Sequence, residues 1–153
     1  MRSVQSRRRS REPAAARPSR GCATLRAMTP THALLAAAAL TWVMVLTASM
    51  LRSGGKLPAM LGNREGPGRD DALAGRADRA AKNMLENLVL FVAVILAASL
   101  GRPSRDTVEL GGLVFVIARV VYFPVYLIGV PGLRTAVWSV GVVGVGMIGA
   151  SAL

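Results

Sequence analysis

The sequence predicts an all-α fold, an integral membrane four-helix bundle. Three observations predict it. Of the 153 residues, 52% are hydrophobic, and the mean hydropathy of +0.44 is high for a soluble domain of this length. Four long apolar segments follow one another, over residues 33–51, 83–100, 108–130 and 133–153. Each approaches the ~20 helical residues that cross a hydrocarbon core, where the backbone must satisfy its own hydrogen bonds. They are too long and too uniformly apolar for barrel strands, which alternate over roughly 10 residues.

Residues 1–27 differ from the rest: eight Arg, with Pro and Ser, and little to bury. This is the composition of a basic disordered tail. A second reading is a mis-assigned start, with the natural start at Met28. A signal peptide is disfavoured, because segment 33–51 exceeds an ordinary apolar core and no clear Ala-x-Ala site follows it. Arg7-Arg8-Arg9 resembles a twin-arginine signal only in its arginines.

Residues 28–153 form the membrane domain, with helices expected over about 32–52, 72–100, 107–129 and 133–153. Helix 1 carries no charge over 33–51. The first loop holds Gly54-Gly55, Pro58, Gly62 and Gly66-Pro67-Gly68, all turn formers, and Asp70 or Asp71 is placed to cap helix 2. Helix 2 starts near Ala72, so it projects beyond the lipid, and Gly101-Arg102-Pro103-Ser104 ends it. Helix 3 carries Glu109 near its start and Arg119 near its middle; Pro124 frees the carbonyl of Val120 and predicts a local kink. Pro131-Gly132 makes a tight link to helix 4. There Gly144-Val145-Gly146-Met147-Ile148-Gly149 matches G-x-G-x-x-G, but no strand precedes it, so a dinucleotide site is excluded by context. Gly141, Gly144 and Gly146/Ala150 are expected to let helices approach closely.

The basic residues set the topology. With a Met28 start, no Lys or Arg precedes helix 1. Arg52, Lys56, Arg64, Arg69, Arg76, Arg79 and Lys82 lie in the first loop and the mouth of helix 2, and Arg134 lies by the third loop. The second loop has only Arg102 and Arg105. The positive-inside rule puts loops one and three in the cytoplasm and both termini outside; if the chain is bacterial, the membrane is the inner (plasma) membrane. Counting the eight Arg of the tail cancels the asymmetry.

The net charge of +11 and pI near 11.6 do not indicate nucleic acid. The cations flank hydrophobic spans, without aromatic interleaving or a reading helix. Cys22 is the only cysteine and His32, at the mouth of helix 1, the only histidine, so no intrachain disulfide or cysteine-based metal site exists and no metal is expected.

The candidate site lies on helices 2 and 3. Arg76, Arg79, Asn83 and Glu86 are spaced 3, 4 and 3 apart, one stripe of a helix, with Asn87 beside it. Arg119, Tyr122 and Tyr126 share a face of helix 3. Ionisable groups at membrane depth are expensive and usually face a bundle interior. Arg119 needs a partner there: Glu86 is the protein candidate and a ligand carboxylate is another. Structural readings stay open for each group. Arg76 and Arg134 would serve as topology charges, Arg79, Asn83 and Glu86 as an interhelical clamp, and the tyrosines as interfacial aromatics.

Arg79-x-x-x-Asn83-x-x-Glu86, Ala118-Arg119-x-x-Tyr122-x-x-x-Tyr126 and Arg134 opening helix 4 together resemble the MAPEG superfamily, the membrane-associated proteins in eicosanoid and glutathione metabolism, in a bacterial-type member. The resemblance covers roughly residues 28–153. It implies a homotrimer of four-helix subunits with glutathione between neighbours near the cytosolic face. It implies that Arg79, Asn83 and Glu86 hold the peptide, that Tyr122 and Tyr126 line the site beside Arg119, and that Arg134 is the catalytic arginine stabilising the glutathione thiolate. The implied second substrate is an apolar electrophile or a lipid hydroperoxide arriving from the membrane lipid. Two departures stand out. Asn87 occupies a position that is often Tyr in eicosanoid-forming members, and the Tyr126–Arg134 interval is one residue longer.

Glutathione chemistry fits these residues. Arg binds carboxylates in bidentate fashion, Glu86 can take the ammonium, and a guanidinium near the thiol favours the nucleophilic thiolate. One alternative is a non-catalytic four-helix membrane protein that binds a lipid or a protein partner. The other is a small multidrug exporter, which would carry its carboxylate in helix 1, where residues 33–51 have none.

Overall fold

The computed structural model describes residues 28–56, 58 and 71–153. The tail, Cys22 and most of the first loop lie outside the described residues, as do the readings of residues 1–27 as a tail or a mis-assigned start. Four helices follow in order: α1 Pro30–Ser53, α2 Ala72–Leu100, α3 Arg105–Ile128 and α4 Pro131–Ala152. All four are long and apolar enough to cross a membrane. The protein is an all-α, multi-pass integral membrane protein.

The helix ends follow local chemistry. Thr29 caps α1, its side-chain oxygen accepting from the His32 N–H at 3.3 Å, and Pro30 occupies the first turn, where no N–H is needed. Gly54 closes α1 in the left-handed region at φ 62°, and the Gly55 N–H donates to the Met50 carbonyl at 3.0 Å. Asp71 caps α2 by accepting from the Leu73 N–H at 3.1 Å. Gly129, at φ 85°, ends α3, and Pro131 begins α4 at once. The α3–α4 link is therefore shorter than the sequence suggests. α3 passes Pro124 as one helix to Ile128, with the proline exposed.

α2 and α3 each touch all three other helices, whereas α1 and α4 do not touch each other. The middle two thus form the central diagonal of the bundle. Small residues allow close approach: Ala33, Ala37 and Ala48 on α1 and Ala74, Ala77, Ala80 and Ala81 on α2 are buried. Phe91 and Phe115 stack between α2 and α3 with ring centroids 4.1 Å apart.

The tightest contact joins α3 and α4. A Cβ added at Gly144 would lie 2.7 Å from the Gly111 carbonyl oxygen, and one at Gly111 would lie 2.7 Å from the Gly144 carbonyl oxygen. Gly141 also faces inward. Gly146, expected at the same contact, has open space around it. It sits two residues, about 200° of helix, from Gly144 and so faces the other way.

The outer surface is apolar. Val89 is 69% exposed, Trp42 68% and Val143 60%, and Leu35, Leu90 and Ile117 also face outward. Such a surface is suited to lipid or neighbouring subunits, not to water.

Candidate functional site

At the end of the bundle where α1 ends, α2 begins and α3 meets α4, α2, α3 and α4 line an open cavity of about 420 Å³. α2 contributes Arg79, Lys82, Asn83 and Glu86 to its wall, and α3 contributes Tyr122 and Tyr126. α4 adds Arg134, Thr135 and Trp138. Helical periodicity explains the grouping: residues three and four apart on each helix share the face turned to the cavity. Tyr122 and Tyr126 are buried and meet edge to face, with centroids 5.4 Å apart. Arg134 stands in the first turn of α4, with its guanidinium 4.8 Å from the Tyr126 ring centre. Pro131 sets this position, because it lets α4 begin immediately after the link.

Six of the seven residues to which the resemblance gives a site role therefore meet in one cavity: Arg79, Asn83, Glu86, Tyr122, Tyr126 and Arg134. The seventh, Arg119, lies behind the wall. It is 1% exposed. Its Nη1 donates to Asn83 Oδ1 at 3.2 Å and its Nη2 to Asn87 Oδ1 at 2.7 Å. The expected Arg119–Glu86 pair is not formed. Glu86 stays exposed at the cavity, and Asn87, one residue or about 100° further round the helix, turns inward to the arginine. The guanidinium also lies 5.2 Å from the Phe115 ring centre and 5.5 Å from that of Tyr122. Gly141 makes room for it: a Cβ there would meet Arg119 Nη2 at 3.2 Å.

Arg76, at the head of the stripe, does not line the cavity. Its side chain packs over Gly129, where a Cβ would meet Arg76 Nη1 at 3.3 Å. It thus joins α2 to the end of α3, where a cation also complements the carbonyl end of the helix. Asp78 pairs with Arg52 of α1 and, at 3.0 Å, with Lys82. At the opposite end of the bundle, buried Glu109 accepts from Arg105 Nε at 2.8 Å. Among the described residues, no group of three His, Cys, Asp or Glu could hold a metal ion.

The cavity wall carries three cations, Arg79, Lys82 and Arg134, and one carboxylate, Glu86, with two phenols and the Thr135 hydroxyl. Arg119 adds a fourth cation behind it. Such a wall can hold an anion that also bears an amine, because guanidinium and ammonium groups bind carboxylates while Glu86 receives a cation. A model of the MAPEG family matches residues 29–153. The chain belongs to the MAPEG family. No curated protein and no solved structure matches it. The match covers all four helices, and so all of the cavity-lining residues of this MAPEG protein.

Sequence reasoning missed three of those residues as site groups. Lys82 reads from the sequence only as a topology charge, although it is three residues from Arg79 and four from Glu86. Thr135 and Trp138 follow Arg134 at one and four residues, and the i, i+4 spacing was the signal that would have placed Trp138 on the Arg134 face.

Proposed function

We propose that this MAPEG protein is a glutathione-dependent membrane enzyme. The observation that carries this reading is the composition of the cavity wall formed by α2, α3 and α4. Three cations and one carboxylate answer the two carboxylates and one ammonium of glutathione, and a cavity of about 420 Å³ falls in the range of small-molecule sites. Arg79, Lys82 and the Asn83 amide take carboxylates, and Glu86 takes the ammonium. Tyr122 and Tyr126 line the site and donate hydrogen bonds. Arg134 faces the thiol as the catalytic group. Its charge favours the thiolate, which is the nucleophile.

The thiolate sulfur forms a bond to the electrophilic carbon of an apolar substrate, and either the leaving group departs with its electron pair or the adduct takes up a proton. With a lipid hydroperoxide, the sulfur attacks the O–O bond and releases the alcohol. A second glutathione then completes the disulfide, with loss of water. Trp138, 38% exposed at the cavity edge, offers an apolar surface to a substrate arriving from lipid. In this proposal the functional unit is a homotrimer with glutathione between neighbours, and the cavity end of the bundle faces the cytoplasm.

Calorimetry of glutathione on detergent-purified protein tests the reading. Binding is expected for the wild type and should weaken at least tenfold for Arg79→Ala, since one charge-assisted hydrogen bond contributes about 1.5–3 kcal/mol. No binding by the wild type at millimolar glutathione would refute it and leave a non-catalytic member of the family.

A further inference from the structure

We propose that Arg119 is a positioning residue that holds the Asn83 amide with its NH2 group toward the cavity, so that this part of the wall accepts only a hydrogen-bond acceptor such as a carboxylate. The choice of glutathione as probe rests on the proposed function; the orientation of Asn83 does not.

The orientation follows from donor and acceptor chemistry. A guanidinium has five N–H donors and no acceptor, whereas an amide has one oxygen and one NH2. The atom that Asn83 turns to Arg119 must therefore be its oxygen, as the 3.2 Å contact from Arg119 Nη1 has it. Rotating the amide by half a turn would set N–H against N–H in a buried place. Asn83 Nδ2 is then on the opposite branch of the amide plane. Among the described residues it has no hydrogen-bond partner, and it is not among the buried unsatisfied atoms, so it opens to the cavity that Asn83 lines.

Asn87 completes the lock. Its Oδ1 accepts from Arg119 Nη2 at 2.7 Å, and its Nδ2 donates to the Asn83 backbone carbonyl at 2.7 Å. Both ends of that amide are occupied, so Asn87 cannot turn without losing two bonds. Gly141 and the Phe115 and Tyr122 rings confine the guanidinium from the other sides.

The arrangement also explains why a cation is retained at 1% exposure with no carboxylate against it among the described residues. A neutral donor would orient Asn83, but only a cation also adds attraction for an anion in the cavity beyond. In a low-dielectric setting that attraction is felt across a side chain.

The test uses the full chain in detergent and has one arm that needs no ligand. Asn83→Asp keeps an oxygen for Arg119 and replaces the NH2 by a second oxygen. It is expected to raise the melting temperature in the wild-type background, where Arg119 gains an ionic partner, and to lower it in the Arg119→Met background. Equal shifts in both backgrounds would overturn the Arg119–Asn83 contact. In the ligand arm, Asn83→Asp weakens glutathione binding at least 30-fold while the protein melts higher, a split that a purely structural role does not produce. Arg119→Met weakens binding about 10–100-fold, as expected for a charge-assisted hydrogen bond. It also reduces discrimination between glutathione and its diethyl ester, and Arg119→Lys restores most of both. Unchanged affinity and discrimination in Arg119→Met would overturn the proposal. Absence of glutathione binding by the wild type refutes the proposed function, and the melting arm alone then decides the positioning.

Discussion

Gly144→Ala is the sharpest structural perturbation available, because a control lies two residues away on the same helix. A Cβ at Gly144 would stand 2.7 Å from the Gly111 carbonyl oxygen and 2.9 Å from the Phe115 backbone nitrogen. Both are backbone atoms of α3, so no side chain can move aside. Ordinary contact begins near 3.4 Å, so the two helices must separate by about 0.7 Å. Overpacking of this kind costs about 1–3 kcal/mol. Alanine regains up to about 1 kcal/mol of helix propensity over glycine. Gly146→Ala receives the same propensity gain and meets nothing within 4 Å. Subtracting one variant from the other cancels propensity and isolates the clash.

The expected result is that Gly144→Ala melts roughly 3–10 °C below Gly146→Ala, converting about 1–3 kcal/mol at this chain length. Both are heated in the same detergent at one scan rate, with the intact protein followed by size exclusion, since membrane-protein unfolding is commonly irreversible. A separation of α3 from α4 also moves Tyr122 and Tyr126 relative to Arg134, so ligand affinity should fall in Gly144→Ala and hold in Gly146→Ala. Equal melting of the two variants would refute the close approach of α3 and α4 and the packing role of Gly144.

Asn87→Leu removes the 2.7 Å acceptor of Arg119 and leaves part of a buried guanidinium unsatisfied. Stability should fall by about 1–3 kcal/mol, read as the melting midpoint in detergent. Arg134→Ala should lower the fraction of bound glutathione present as thiolate at neutral pH. Losing the nearby cation raises the thiol pKa, so the thiolate ultraviolet absorbance should appear only at higher pH than in wild type. Asp78→Asn breaks two ion pairs whose cations are 43% and 70% exposed, so the melting midpoint should move by less than the equivalent of about 1 kcal/mol.

The helices were legible because each apolar run is bounded by residues with one local use. Asp71 is an N-cap, and Gly101-Arg102-Pro103-Ser104 stops α2. The starts of α3 and α4 came two residues early because Ser104 and Val130 already hold extended geometry and Pro131 suits a first turn. The cavity wall was legible where it follows the period of one helix: Arg79, Asn83 and Glu86 on α2, Tyr122 and Tyr126 on α3. What periodicity does not contain is how one helix is rotated against the next. That rotation decides that Arg119 meets Asn83 and Asn87 rather than Glu86, and that Gly141, not Gly146, stands beside the arginine. Arg134 reaches the cavity because the Gly129 turn and Pro131 keep the link short.

The position of Arg119 has a thermodynamic consequence that links fold to function. A cation inside an apolar bundle loses its hydration, and two amide oxygens and two aromatic faces return only part of it. Its Nε is buried without a partner among the described residues. The remaining deficit is electrostatic and is relieved by any anion that enters the neighbouring cavity. Binding and stability are then coupled by mass action: ligand at 100 times its Kd stabilises by about 2.7 kcal/mol whatever the source of the affinity, so the relief of Arg119 enters through the Kd itself. Arg119→Met removes both the deficit and its relief. Without ligand, the relieved desolvation is offset by the Asn83 and Asn87 amide oxygens that lose their donor. At one fixed glutathione concentration the upward melting shift should be smaller than that of the wild type, because the Kd is weaker. If it binds one-to-one, the shifts at matched saturation must agree, and the role of Arg119 then resides wholly in the affinity.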